Sequence, residues 1–112
     1  MFSETTIAFI GSGTMAEAMI KGLLDQGLVE PEYMIASGPR QERGDELRQR
    51  YGIRATTDNA EAARQADIVI LSITPQVLPK VFRDLRGHLK PEALVLSIVA
   101  GAKIAVMARG LD

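Results

Sequence analysis

Short apolar runs alternate with longer amphipathic segments along this chain. Most of these runs are continuous, with few polar residues among the apolar ones, which is typical of strands buried on both faces of a parallel sheet. The pattern predicts strands over residues 7–10, 33–37, 53–56, 68–73 and 94–99.

The segments between these strands have the spacing of amphipathic helices. Met15, Met19 and Leu23 recur at every fourth position after the first strand, and Gly27 is placed to end that helix. The other predicted helices cover residues 41–51, a short stretch opened by a capping box at Asp58, a long stretch from Thr74-Pro75 to Pro91, and a weak pattern over 103–112.

This order of elements predicts an α/β fold, an open, doubly wound parallel sheet with helices on both faces in three α-β-α layers. The chain has 112 residues, of which 46% are hydrophobic and 24% charged, the balance of an ordinary soluble domain. We therefore expect a single domain over residues 1–112.

Composition excludes several kinds of function. The chain has no cysteine, which excludes disulfides, thiolate metal sites and a cysteine nucleophile, and we expect no metal site. The formal net charge is -1 and no basic cluster is present, which argues against a nucleic-acid partner. The first residues do not resemble a signal peptide, and no apolar run reaches the roughly 20 residues of a membrane helix. We therefore expect a cytoplasmic protein with no membrane partner.

The candidate functional site is the glycine-rich turn Gly11-Ser12-Gly13-Thr14-Met15-Ala16, between the first strand and the first helix. In a Rossmann-type dinucleotide site, the first glycine permits the sharp turn and the second lets a pyrophosphate approach the backbone. The small third residue lets helix and strand pack closely. The helix N-terminus then offers free N–H groups to the phosphates. An ordinary tight turn without a ligand is the alternative, but the position between strand and helix favours the dinucleotide site.

The end of the second strand favours NADP(H) over NAD(H). NAD-specific sites place a carboxylate there for the ribose 2′-hydroxyl, whereas this strand ends in Ser37-Gly38-Pro39-Arg40, with no acid before Glu42. Arg40 can form a bidentate pair with a 2′-phosphate, although a solvated loop charge is the alternative.

The carboxyl ends of the fourth and fifth strands should face the same crevice, because ligands collect at this edge of a doubly wound sheet. Residues 72–76 and Ala100-Gly101 are then directed toward the nicotinamide half of the cofactor. Thr74 fits a helix cap, a cofactor contact, or both. The charges over residues 42–50 are interpreted as a solvated helix face, and no catalytic set of side chains can be assembled.

Three stretches, residues 7–18, 67–76 and 97–101, resemble the N-terminal domain of the pyrroline-5-carboxylate reductases. The specific features are Met15-Ala16-Glu17-Ala18 after the glycines, Pro75-Gln76 after the fourth strand, and Ser97-Ile98-Val99-Ala100-Gly101 at the fifth. The resemblance implies an NADP-binding domain of an enzyme that reduces 1-pyrroline-5-carboxylate to proline with NAD(P)H. The cofactor contacts that it implies are Ile10, Gly11, Ser12, Gly13, Thr14, Met15, Ser37, Arg40, Asn59, Ser72, Ile73, Thr74, Pro75, Ala100 and Gly101.

Two departures from that family bear on function. The family usually has lysine where this sequence has Thr74, which leaves open another NADP-dependent imine or hydroxyacid reductase. The family also continues into a C-terminal domain that forms a homo-oligomer and completes the substrate pocket. We expect that domain to be absent from this chain, which would then be a fragment that is inactive alone. A paralogue that binds NADP(H) without catalysis is the remaining alternative.

Overall fold

The computed structural model describes residues 4–98 and 104–106, which form one mixed sheet flanked by helices. The strands lie in the order β3-β2-β1-β4-β5-β6, and β1 to β5 are parallel. The strands are β1 (Ile7–Ile10), β2 (Met34–Ser37), β3 (Arg54–Thr56), β4 (Ile68–Ser72), β5 (Leu94–Ile98) and β6 (Ile104–Val106). The predicted doubly wound Rossmann-type fold is confirmed.

Helices connect the parallel strands. They are α1 (Thr14–Asp25), α2 (Gln41–Tyr51), α3 (Asn59–Gln65) and α4 (Leu78–Leu85), with short 3₁₀ turns at Pro31–Tyr33 and Pro75–Val77. The predicted end of α1 is confirmed, because the Leu28 N–H donates to the Leu23 carbonyl at 3.0 Å in the manner of a Schellman motif. Among the described residues, no helix is both long and apolar enough to cross a membrane.

Alternate residues of β1 enter opposite layers of the core, as the pleat of a strand requires. On one face, Ala8 and Ile10 of β1 belong to a cluster with α3 and α4; on the other, Ile7 and Phe9 belong to a cluster with α1 and α2. All four β1 side chains are at most 3% exposed. This burial on both faces explains why the strand sequences are continuously apolar.

Two predicted helices were wrong in part. The weak helix expected over 103–112 is contradicted at Ile104–Val106, which pairs as an antiparallel strand with β5; the rest of that segment lies outside the described residues. The long helix expected to reach Pro91 ends at Leu85, because Gly87 adopts a left-handed φ of 81°. Leu89 still packs against the core, which explains why the apolar spacing continued past the helix end.

Candidate dinucleotide-binding site

At Gly11, its first glycine, the glycine-rich turn is packed tightly against the neighbouring strands. Gly11 has a φ of 106°, and its N–H donates to the Ser37 carbonyl of β2 at 2.8 Å. A Cβ at this position would lie 2.3 Å from the carbonyl oxygen of Ser72 in β4. Because that oxygen belongs to the backbone of a central strand, the contact cannot be relieved by a side-chain rotation. Glycine is therefore required here for close approach as well as for conformation.

At Gly13, its second glycine, the same turn borders empty space. A Cβ added to Gly13 would meet no atom within 4 Å. Gly13 occupies the N-cap of α1 without a side-chain cap, and its carbonyl accepts the first helical hydrogen bond, from the Glu17 N–H at 3.0 Å. The N–H groups of residues 13–16 therefore have no partner within the helix. Free donors beside open space on an exposed surface are what an anionic group requires.

The end of β4 is hydrogen-bonded to this turn. The Ser72 hydroxyl donates to the carbonyls of Ile10 and Gly11, at 3.2 and 3.0 Å, and Ser72 is 8% exposed. Thr74 and Pro75 follow on the exposed edge of the sheet. Thr74 holds the N-cap position of the 3₁₀ turn but makes no side-chain cap, so the prediction that its hydroxyl caps a helix is wrong.

The end of β2 carries a chain of hydrogen bonds. Buried Ser37 donates from its hydroxyl to Asn59 Oδ1 at 2.5 Å, and Asn59 Nδ2 donates to Asp84 at 3.1 Å. Lys80 donates to the same Asp84 carboxylate at 2.9 Å. The Lys80 hydrogen bond, helped by the one from Asn59, keeps the pKa of Asp84 below its usual range. The Ser37 hydroxyl is thus used to hold Asn59.

Arg40 is exposed and occupies the N-cap position of α2. Within the described part of the chain, it forms no salt bridge. Its guanidinium therefore faces solvent beside Pro39, with no carboxylate to compete with an incoming anion.

A cavity of about 400 Å³ opens beside Pro39, between the start of α3 and one side of α4. Val77 is 40% exposed at this cavity, which is unusual for a large apolar side chain. The lining residues are Pro39, Thr57, Asp58, Asn59, Ala60, Val77, Lys80, Val81 and Asp84. The family resemblance implied Asn59 among them, but the α4 residues were missed, since only the tertiary fold brings α4 beside the start of α3.

Arg43 corrects the interpretation of residues 42–50 as a solvated face. Its side chain is 13% exposed and reaches from α2 to the glycine turn, where Nε donates to the Ser12 carbonyl at 2.6 Å. It also pairs with Glu17 of α1 at 2.7 Å. The hydrogen bond from Tyr51, followed by those from Arg43 and Arg50, lowers the pKa of Glu17 to about 2. Arg48 and Arg50, about half exposed, do fit the predicted solvated face.

The fold therefore brings most of the predicted contacts to the carboxyl edge of the sheet. The turn of residues 10–15, the β4 end at residues 72–75, and the Ser37–Asn59 pair lie along it, with Arg40 beside them. Ala100 and Gly101 lie outside the described residues. No group of three or more metal-ligating side chains occurs in the part of the chain that the structure describes.

The comparisons with known proteins agree with this geometry. Residues 6–101 match the model of the family described as "NADP oxidoreductase coenzyme F420-dependent". The chain belongs to this family. Its resemblance to pyrroline-5-carboxylate reductases is also confirmed. It is 40% identical over 106 residues to the enzyme of that name from Corynebacterium melassecola, covering 92% of this chain and 39% of the relative.

Two solved structures show the same fold. The pyrroline-5-carboxylate reductase of Coxiella burnetii superposes with a TM-score of 0.75 at 28% identity, covering 88% of this chain and 37% of that one. The pyrroline carboxylate reductase of Plasmodium falciparum, solved with NADP bound, gives a TM-score of 0.72 at 22% identity, covering 86% and 34%. This chain thus spans about two fifths of the length of the relatives it matches. The comparisons thus show the family and the fold of this chain.

Proposed function

We propose that this chain is the cofactor-binding domain of a reductase and that it holds NADP(H) along the carboxyl edge of its sheet. The observation that carries the proposal is the contrast within the turn, closed by backbone at Gly11 and open beside free N–H groups at Gly13. A dinucleotide pyrophosphate fits that opening, because the helix N-terminus favours negative charge and the missing side chain allows close approach.

The remaining parts of the cofactor would be held by neighbouring residues. The cavity between Pro39 and α4 has the mixed apolar and polar lining that suits the adenosine end, with Val77 as an exposed apolar contact and Asn59 as a fixed amide. Ser72, Ile73, Thr74 and Pro75, with Ala100 and Gly101, would lie toward the nicotinamide end. Asp84 is already paired with Lys80, so its charge is balanced and does not repel a phosphate at full strength.

Arg40 would select NADP(H) by pairing with the 2′-phosphate, supported by its exposure and by the absence of an acid at the end of β2. Ser37 would act through Asn59, which its hydroxyl holds in place. Isothermal titration calorimetry should give a lower Kd for NADP+ than for NAD+. Arg40→Ala should remove most of that gap, since a charge-assisted bond contributes about 1.5–3 kcal/mol.

Arg48→Ala is the matched control for that experiment. Arg48 is a half-exposed arginine within α2, but it pairs with Asp45 on the helix surface. Its removal should leave both affinities unchanged. Equal Kd values for NADP+ and NAD+ in the unmodified chain would contradict the assignment of Arg40.

The reaction we propose for the whole protein is reduction of the C=N bond of 1-pyrroline-5-carboxylate to give proline. A reduced nicotinamide supplies the hydride to the ring carbon, and a proton goes to the nitrogen. The similarity to enzymes of that name, at 40% identity, supports this substrate. Within this chain, the residues bind and orient the cofactor; the substrate contacts and the homo-oligomer would come from a further domain.

The assay is oxidation of NADPH in the presence of pyrroline-5-carboxylate, run on this chain and on a full-length protein. We expect turnover from the full-length protein and none from the chain alone, because positioning the substrate carbon can supply roughly 7–11 kcal/mol of the barrier. Turnover by the chain alone near the full-length rate would contradict the proposal. Thr74, in place of the family lysine, favours testing other cyclic imines in the same assay, and hydroxyacids in the reverse direction by reduction of NADP+.

A further inference from the structure

Arg43 joins two segments that are far apart in sequence. From the first turn of α2, its Nε donates to the Ser12 carbonyl at 2.6 Å, and its Nη2 donates to the Gly13 carbonyl at 3.3 Å. These are the two peptide carbonyls at the centre of the glycine turn. The side chain is 13% exposed, so it is held between the helices and does not extend into solvent.

Holding a carbonyl also orients an N–H group. A trans peptide unit is planar, and its N–H points opposite to its C=O. The Ser12 carbonyl shares its peptide plane with the Gly13 N–H, and the Gly13 carbonyl shares its plane with the Thr14 N–H. By fixing both carbonyls on the side of α2, Arg43 turns these two N–H groups away from α2. The Gly13 carbonyl is fixed a second time by the Glu17 N–H at 3.0 Å.

The charge of Arg43 is balanced by neighbours and is not offered to a ligand. Its guanidinium pairs with Glu17 at 2.7 Å and with Glu46 at 2.5 Å. Glu17 is in turn held by Arg50 at 2.5 Å and by the Tyr51 hydroxyl at 2.6 Å. Each of the three guanidinium nitrogens therefore donates to at least one protein acceptor, which favours an effect on geometry over direct contact with phosphate.

We propose that Arg43 is a positioning residue, which presets the Gly13 and Thr14 amides for the pyrophosphate and so lowers the cost of ordering the turn on binding. The inference rests on the proposed binding of a dinucleotide at this turn. Two arginines three residues apart then have different roles. Arg40 would bind the 2′-phosphate, which only NADP+ carries, whereas Arg43 would affect binding of the pyrophosphate, which NADP+ and NAD+ share.

The test is calorimetric titration of the whole 112-residue chain, unmodified and with Arg43→Ala, with NADP+ and with NAD+. Arg43→Ala should raise both Kd values by the same factor, roughly tenfold, because the turn must then be ordered at the moment of binding. The ratio of the two Kd values should not change. Arg40→Ala should change that ratio and leave the NAD+ affinity alone.

Arg50→Ala is the matched control, since it removes another partner of Glu17 but does not touch the turn. It should leave both affinities within about twofold of the parent, as expected for a surface pair. Amide hydrogen exchange without ligand supplies the second readout, because the Gly13 and Thr14 amides should exchange faster in Arg43→Ala and not in Arg50→Ala. If Arg43→Ala does not fold, Arg43→Lys takes its place. Lysine keeps the positive charge beside Glu17 but lacks the guanidinium that donates to both turn carbonyls, and the same measurements are then made on it.

Two results would overturn the inference itself. Unchanged Kd values in a folded Arg43 variant would show that the contacts do not preset the turn, even if the melting temperature falls. A loss of affinity for NADP+ alone would show that Arg43 binds the 2′-phosphate. Failure of the unmodified chain to bind either nucleotide would instead refute the proposed function, and the two failures are thereby distinguished.

Discussion

Exchanging Gly11 or Gly13 for alanine should lower the free energy of unfolding by very different amounts. At Gly11, the new Cβ would lie 2.3 Å from the Ser72 carbonyl oxygen and 2.7 Å from Ile73 Cγ2, with φ at 106°. The backbone conformation alone costs a non-glycine residue about 1–3 kcal/mol, and overpacking against a central strand adds about 1–3 kcal/mol. At Gly13, the Cβ would meet no atom within 4 Å, and the loss at this N-cap should be under about 1 kcal/mol.

Urea denaturation followed by circular dichroism measures both variants against the parent. The midpoint should fall sharply for Gly11→Ala, to the point of no folded baseline, and little for Gly13→Ala. Similar losses at the two positions would refute the reasoning. Gly13→Val then extends the test to binding: it should fold but bind NADP+ at least roughly tenfold more weakly, since the side chain would separate the phosphates from the amides.

Three further predictions concern stability. Lowering the pH from 6 to 3 should destabilise the parent more than Glu17→Gln in urea titrations. The folded Glu17 pKa of about 2 lies below its ordinary 4.5, so the carboxylate stabilises the fold fully above pH 4.5 and part of that stabilisation is lost by pH 3. Equal losses would contradict this, and Asp25→Asn is the surface control. Gly38→Ala should destabilise less than Gly11→Ala in the same titration, since its Cβ would meet the Ser12 hydroxyl, which can rotate, and not a strand backbone; an equal or larger loss would count against the argument. Asp58→Ala should cost about 1 kcal/mol and Asp58→Asn much less, because Oδ1 caps the Ala60 and Glu61 N–H groups; equal costs would show that the cap contributes little.

The parts of the fold that sequence reasoning found are those set by local patterns. Mainly apolar runs predicted β1, β2, β4 and β5, and the short strand β3 was predicted as well. The glycine spacing located the turn between β1 and α1. The end of α4 was misjudged because Leu89 keeps the apolar spacing although the helix has already ended before Gly87.

The parts that sequence reasoning missed depend on contacts between distant segments. Arg43 lies in a run of charges whose local pattern is that of a solvated face, and its role appears only when α2 packs beside α1. Likewise, Lys80 and Asp84 join the candidate site through Asn59, more than 20 residues earlier in the chain. In sequence, a half-buried arginine cannot be told from an exposed one on the same helix.

The most direct test of the account is a nuclear magnetic resonance titration of the ¹⁵N-labelled chain with NADP+. The amide resonances of Gly13, Thr14, Arg40 and Asn59 should shift together with one saturating dependence on nucleotide concentration. Titration with NAD+ should reproduce the shifts at Gly13 and Thr14 with weaker binding and a smaller change at Arg40. Absence of shifts at the glycine turn, or saturable shifts confined to another surface, would contradict the claim that this turn is the dinucleotide-binding site.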